Sequence, residues 1–173
     1  LSNQTTERTR SFILIAFREL LNKKTFKSIT INDICMQSKI HRSSFYRYYN
    51  DKYDLMREIL PILFNQMREE SNGEAIYNFV VDYIDENKRF IKNILSNDEF
   101  STDFVNLLSD FILVEAQNNN LIISERINNF PNPKVLIDFY SSGIVHVLRR
   151  WLNDDYDCSK KELKALIYEL VST

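Results

Sequence analysis

ITINDICMQSKIHRSSFYRYYNDKYDL, residues 29–55, decides the fold. Thr30 stands where a helix N-cap belongs, Asp33 follows three residues later in the first turn, and Ile34 and Cys35 supply an inward-facing pair. A short helix is predicted there. Residues 42–49 are predicted as a further helix, too short to survive alone and so dependent on packing against its neighbours. Within it the i, i+4 pair Phe45 and Tyr49 faces inward with Ile40, which leaves Arg42, Ser43, Tyr46 and Arg47 on the opposite side. A hydrophobic core has use for the rings but none for the arginines; a merely solvated face would keep the arginines and omit the rings. Arginine can fork onto guanine O6 and N7 or onto phosphate, serine can take either, and tyrosine offers a flat ring with a phosphate-seeking hydroxyl. The outward side therefore reads as a face for a DNA groove. Lys52 opens the next helix, where an ammonium opposes the helix dipole and invites an anionic partner, a phosphate being the obvious candidate.

Upstream, TERTRSFILIAFRELLNKK (residues 6–24) sets Phe12, Ile13, Ala16, Phe17, Leu20 and Leu21 on one apolar stripe of an amphipathic helix. Three helices within fifty residues make a small bundle containing a helix-turn-helix. Charge agrees with this division. Residues 1–60 hold eleven Lys/Arg against six Asp/Glu, and the remainder eleven against eighteen, so a net charge of −2 conceals a basic N-terminal module on an acidic body. Only two glycines and three prolines in 173 residues leave few of the punctuators that sheet-and-turn folds need, which favours an all-α protein.

The segment 29–55, with the preceding FILIAFRELLNKKTF, resembles the N-terminal DNA-binding domain of the TetR family of transcriptional regulators over roughly residues 8–60. The resemblance implies that Thr30 and Asn32 at the start of the second helix, and Arg42, Ser43, Ser44 and Tyr46 on the third, lie at operator contacts, with Tyr48 and Lys52 at phosphates. Tyr48 also reads as a core ring. The family usually has Ala-Gly at the turn where this chain has Ser38 and Lys39. A left-handed Lys39 there would cost about 1 kcal/mol. The usual capping Ser or Thr is replaced by His41.

The rest of the chain reads as further helices: residues 52–70, with Pro61 expected to bend or interrupt the ladder, then EAIYNFVVDYIDENKRFIKNIL (74–95) with a broad stripe including Ile76, Phe79, Val80, Tyr83, Ile84, Phe90, Ile91 and Leu95. DFVNLLSDFILVEAQ, an Asn-rich connector at 118–120, KVLIDFYSSGIVHVLRRWLND and a last helix capped by Ser159 complete it. In the penultimate helix Ser141, Ser142 and Gly143 place small residues amid Val, Leu and Phe, which lowers helix propensity unless another helix approaches closely. A dimer interface supplies that approach, and an intrachain contact is the alternative. FYSSGIVHVLRRWL further resembles the C-terminal domain of a Firmicutes-type branch of TetR-like regulators, a branch that includes coactivator-like proteins of dihydroxyacetone kinase operons. In the family the last two helices of each subunit form a four-helix bundle, which implies that Gly143, Val147 and Trp151, with Ser142, lie near a twofold interface.

No Gly-rich phosphate loop, HExxH, GxSxG or Cys/His constellation occurs, so neither catalysis nor a metal nor a cofactor is expected. Cys35 and Cys158 read as ordinary reduced thiols. No apolar run is long enough for a membrane span and no signal peptide is evident, so a cytoplasmic location is the default. Leu1 is not methionine, and the natural start is expected to have been trimmed or replaced. The aromatic middle, with Phe79, Tyr83, Phe104, Phe111 and Phe139, reads either as plain core or as the lining of an effector cavity. The expected protein is all-α, with a helix-turn-helix domain at residues 1–50 and a helical dimerisation and effector domain at 51–173. Its expected partners are double-stranded DNA, a second copy of the chain and, as the family resemblance allows, a small-molecule effector. Repression by operator occlusion is the expected mode. The alternative is a coactivator-like helical adaptor that works mainly through a partner protein.

Overall fold

The computed structural model describes the backbone of residues 2–70 and 76–172, and the side chains of these except 2–5, 67, 68, 70, 76–79 and 171. Among the described residues there are helices and no strand. The chain divides into two compact units, residues 1–60 and 61–173.

In the first unit α1 (Ser2–Leu21) buries Ile13, Ala16, Phe17, Leu20 and Leu21. Phe12, read from the sequence as part of that stripe, is 46% exposed. One residue before Ile13 is a rotation of about 100° on a helix, enough to carry the ring off the buried strip. A short 3-10 turn (Phe26–Ser28) buries Phe26 and leads to α2 (Ile31–Ser38), which buries Ile34 and Cys35. Burial raises the Cys35 thiol above its ordinary pKa, so it stays protonated.

The N-terminus of α2 closes as the sequence proposes. The Asp33 N–H donates to the Thr30 hydroxyl at 3.1 Å, and the Asp33 carboxylate accepts from the Thr30 N–H at 2.9 Å and from its hydroxyl at 2.8 Å, a complete capping box. Lys24 reaches the other carboxylate oxygen at 2.8 Å. At the C-terminus Lys39 lies at φ 56°, ψ 41°, and its N–H bonds the carbonyls of Cys35 and Met36. This is the left-handed cap that glycine usually supplies, occupied by a residue with a Cβ.

α3 (Arg42–Phe45) is four residues long, shorter than the 42–49 expected. Beyond Phe45 the chain tightens: Arg47 N–H bonds Ser44 O at 3.3 Å and Tyr48 N–H bonds Phe45 O at 3.0 Å, three-residue spacings that interrupt the α ladder before Tyr49 N–H returns to Phe45 O at 3.1 Å. α4 (Lys52–Glu70) begins on Asp51, whose carboxylate accepts from the N–H groups of Tyr53 and Asp54. Of the bend or interruption expected at Pro61, the helix shows no interruption and runs through the proline. Pro61 itself is exposed.

In the second unit the single stripe read over 74–95 is two helices, α5 (Ile76–Glu86) and α6 (Lys88–Leu95), parted at Asn87, whose amide donates to Tyr83 O at 2.9 Å. The Ile76 and Phe79 side chains lie outside the described ones. α7 (Asp98–Gln117) is capped by Asn97, and α8 (Ser124–Asn129) is a short bridge to α9 (Pro133–Leu152). α7 packs along α9, and α10 (Lys160–Ser172) packs on α5. Ser159 caps α10 as expected, in a second capping box with Glu162. The core holds Phe90, Ile91, Phe100, Phe104, Ile127, Val145, Leu148 and Leu152.

Two outcomes follow for the first unit. Replacing Lys39 by glycine removes the Cβ strain of the left-handed cap, so Lys39→Gly should raise stability by about 1 kcal/mol, read as a later denaturation midpoint at unchanged slope. The Lys24 ammonium and the Thr30 donors hold the folded-state Asp33 carboxyl down at about 2 against an ordinary 3.8. A depressed acid pKa stabilises the fold fully above about pH 4, and that contribution fades as pH falls toward 2. Wild type should therefore lose more stability than Asp33→Asn across that window in paired denaturant titrations.

Candidate nucleic-acid interface and subunit face

Alternation of burial around α3 sorts its residues as the sequence implies. Phe45 is fully buried and Tyr49 is 4% exposed, with their rings 5.7 Å apart. Arg42, Ser43, Tyr46 and Arg47 are exposed, and Ser44 and Tyr48 are half-buried. Arg42 and Tyr46, one turn apart, form an ordered pair. A guanidinium nitrogen donates to the Tyr46 hydroxyl at 3.1 Å, and the guanidinium carbon lies 5.5 Å from the ring centroid. Tyr46 also meets Phe45 edge to face at 5.5 Å, so the pair rests on a buried ring. The result is a planar donor group held over an aromatic surface, with Ser43 and Arg47 alongside.

At the start of α2, Thr30 and Asn32 are exposed. The Thr30 hydroxyl is committed to the capping box, and the Asn32 amide lies 3.4 Å from the Met36 sulfur. His41 precedes α3 without a side-chain cap. The Tyr49 hydroxyl, buried beside the Arg10–Glu58 ion pair, makes no hydrogen bond of acceptable geometry, and burial pushes its pKa up to about 12.

Lys52, expected at a phosphate, is engaged within its own chain. Its ammonium donates to the carbonyls of Phe26 at 2.7 Å, Ile29 at 2.8 Å and Lys27 at 3.2 Å, and stands 4.5 Å from the Phe26 ring centroid. An ammonium has three protons, and three acceptors receive them. Burial lowers its pKa, as expected for a cation drawn out of water. At the helix start the ammonium is met by three protein carbonyls. The side chain of Lys27, by contrast, is exposed on the 3-10 turn. No periodicity marks a residue in so short an element, so sequence spacing does not single it out.

In the second unit the small-residue patch of α9 is split between two sides. Ser141 is fully buried, its hydroxyl 2.7 Å from that of Ser109 on α7, so it serves an intrachain contact. Ser142 and Gly143 are exposed, and nothing lies within 4 Å of a Cβ built at Gly143. Beside them Phe139 is 72% exposed, and on α10 Leu166 and Leu170 are 44% and 57% exposed. A shallow apolar groove of about 180 Å³, lined by Phe139, Gly143, Val147, Ile167 and Leu170 among others, runs between these helices. Trp151, expected near the interface, is buried within its own chain. It is 7% exposed and its indole N–H donates to Cys158 O at 2.9 Å, because it follows Leu148 by three residues on the inward side of α9.

Tyr83, Phe104 and Phe111 are buried, and Phe139 is not. Phe111 lines an apolar cavity of about 60 Å³ with Val80, Ile112, Ile127, Tyr140 and Ile144 among its neighbours. Among the described residues no three His, Cys, Asp or Glu side chains are grouped to hold a metal ion, and no helix is long and apolar enough to cross a membrane.

Residues 71–173 match the transcriptional regulator C-terminal region family TetR_C_8. The uncharacterized HTH-type transcriptional regulator YxbF of Bacillus subtilis is 21% identical over 175 residues, covering 91% of this chain. DhaS of Lactococcus lactis, the HTH-type dhaKLM operon transcriptional activator, is 26% identical over 124 residues, 65% of this chain. The chain spans 43% and 65% of the lengths of these two curated relatives. Among solved structures, a TetR transcriptional regulator from Streptococcus agalactiae superposes with a TM-score of 0.72 at 20% identity, over 99% of this chain and 98% of that one. The dihydroxyacetone kinase operon activator DhaS gives 0.66 at 19% identity, over 94% and 93%. Regulators of this kind bind DNA and are dimers. With the C-terminal family match covering more than half its length and its all-helical architecture shared with these structures, the chain belongs to the TetR family of transcriptional regulators, which are not enzymes.

Proposed function

We propose that this protein binds a palindromic DNA operator as a homodimer, each subunit presenting the exposed side of α3 to a major groove. One observation carries the reading: Arg42 and Tyr46 are held as a hydrogen-bonded, stacked pair on the outward side of a four-residue helix whose Phe45 is fully buried. An ordered guanidinium facing solvent is of little use to the fold, since an exposed contact of this kind is worth about 0–1 kcal/mol. It is of direct use against guanine O6 and N7. Ser43, Ser44, Arg47 and Tyr48 flank it, Thr30 and Asn32 stand at the start of α2, and Lys27 replaces Lys52 as the phosphate contact ahead of that helix.

The second copy seats on the apolar face of α9 and α10, with Ser142, Gly143 and Val147 at the contact. A twofold arrangement of two identical recognition segments asks for a two-fold-symmetric site. Seating a dimer on promoter DNA represses by occlusion. Activation, the role that the L. lactis relative carries in its name, is the second reading, and it is favoured by that relative's 26% identity. A reporter gene behind a recovered operator separates them by the sign of its response to deletion of this protein. The apolar cavity of about 60 Å³ is well below the roughly 300–1,000 Å³ of pockets that enclose drug-sized ligands, so an effector acting there has to open it. Action on the chromosome places the protein in the cytoplasm.

Arg42→Ala should weaken binding to an operator recovered by genomic pull-down by about 1–3 kcal/mol per half-site and change binding to a scrambled duplex much less. Equal weakening of both duplexes would remove Arg42 from the base edges. Gly143→Leu meets open space within its own subunit and replaces a poor helix former, so the isolated subunit should be no less stable. The added side chain should nonetheless obstruct the partner, and light scattering should show loss of the dimer while circular dichroism stays unchanged.

A further inference from the structure

We propose that Lys52 is a positioning residue for the recognition segment, not a DNA contact. The first turn of α4 holds both ends of the helix-turn-helix and so fixes how α2 and α3 are offered to DNA. The Lys52 ammonium grips the carbonyls of Phe26, Lys27 and Ile29, the last immediately before the Thr30 cap of α2. In the same turn the Asp54 carboxylate accepts from the Asn50 N–H and from the Asn50 side-chain amide, both at 2.9 Å, and so grips the chain leaving α3. Asp51 caps that turn and fixes the two side chains relative to each other. One turn on, Glu58 takes Arg10 of α1 at 2.8 Å. Entry and exit of the motif thus depend on side chains two residues apart on one rigid helix.

A phosphate could recruit the Lys52 ammonium only by drawing it off three carbonyls and the face of the Phe26 ring. That exchange gives up three hydrogen bonds from a charged donor, two of them to partly buried carbonyls, and losing such bonds is costly. Geometry also sets what can replace it. An ammonium is a compact centre whose three protons diverge onto three oxygens, whereas a guanidinium is a wider plane that matches phosphate but not three convergent carbonyls.

The inference rests in part on the DNA-binding reading, and the experiment keeps the two apart. Wild type, Lys52→Met, Lys52→Gln, Lys52→Arg and Lys27→Ala are titrated at several salt concentrations against a duplex selected by wild type from random sequence, and against its scrambled version. Amide exchange across residues 30–35 is followed without DNA. Expected for Lys52→Met is about a tenfold loss on the selected duplex, little change on the scrambled one, an unchanged salt slope and faster exchange across 30–35. Lys52→Arg should not restore binding, and Lys27→Ala should weaken both duplexes and lower the slope by about one unit per subunit. Lys52→Gln, which keeps two donors, gives the same readouts in milder form if the methionine variant does not fold. A Lys52 variant that weakens both duplexes equally and lowers the salt slope, with restoration by arginine, would make Lys52 a phosphate contact and overturn the proposal. So would unchanged amide exchange. Should wild type select no duplex, the DNA-binding reading falls, and amide exchange alone decides whether the clamp exists.

Discussion

A helix of four residues cannot hold itself in water, so whatever α3 presents depends on the burial of Phe45. Its ring is fully inside the first unit, against Tyr49 and edge-on to Tyr46. Losing a buried phenylalanine costs about 3–5 kcal/mol, more than a short helix gains from its own hydrogen bonds. The exposed residues Arg42, Ser43, Tyr46 and Arg47 inherit their direction from that one anchored ring. The Arg42–Tyr46 pair is therefore ordered by the core beneath it, although the pair itself is solvent-exposed.

Charged groups in the first unit are divided between holding the motif and facing outward. Lys24 is tied to Asp33, Arg10 to Glu58 and Lys52 to three carbonyls, each joining separate segments of the unit. Arg42, Arg47 and Lys27 face water. A count of basic residues in the first sixty positions cannot make this division, since the same ammonium is a fastener or a contact depending on what lies within 3 Å of it. The positive balance nevertheless marks the module, because the outward group remains cationic.

In the second unit α9 serves two surfaces at once. Ser141, Val145, Leu148 and Trp151 are buried within the chain, while Phe139, Ser142, Gly143 and His146 are exposed. Three adjacent small residues are thereby parted: Ser141 lets α7 approach and bonds Ser109, whereas Ser142 and Gly143 flatten the outer side. A helix with one side buried in its own chain and the other exposing Phe139 beside small residues is the arrangement a helical partner would complete.

Much of this was written in the chain locally. The Thr30–Asp33 and Ser159–Glu162 boxes, the inward Phe45 and Tyr49, and the helical character of both units follow from contacts three or four residues apart, which sequence spacing fixes on any helix. The resemblance at residues 29–55 added the family and its contact positions. Tertiary structure alone decided the rest. Whether α3 ran to Tyr49 or stopped at Phe45, whether the stripe over 74–95 was one helix or two, and whether Trp151 faced inward all depended on packing partners far away in sequence. The same holds for Lys52. Sequence placed an ammonium at a helix N-terminus, and only the folded chain brought three carbonyls from residues 26–29 to meet it. Local spacing determines which side of a helix a residue occupies; what waits on that side is set by contacts that exist only after the chain has folded.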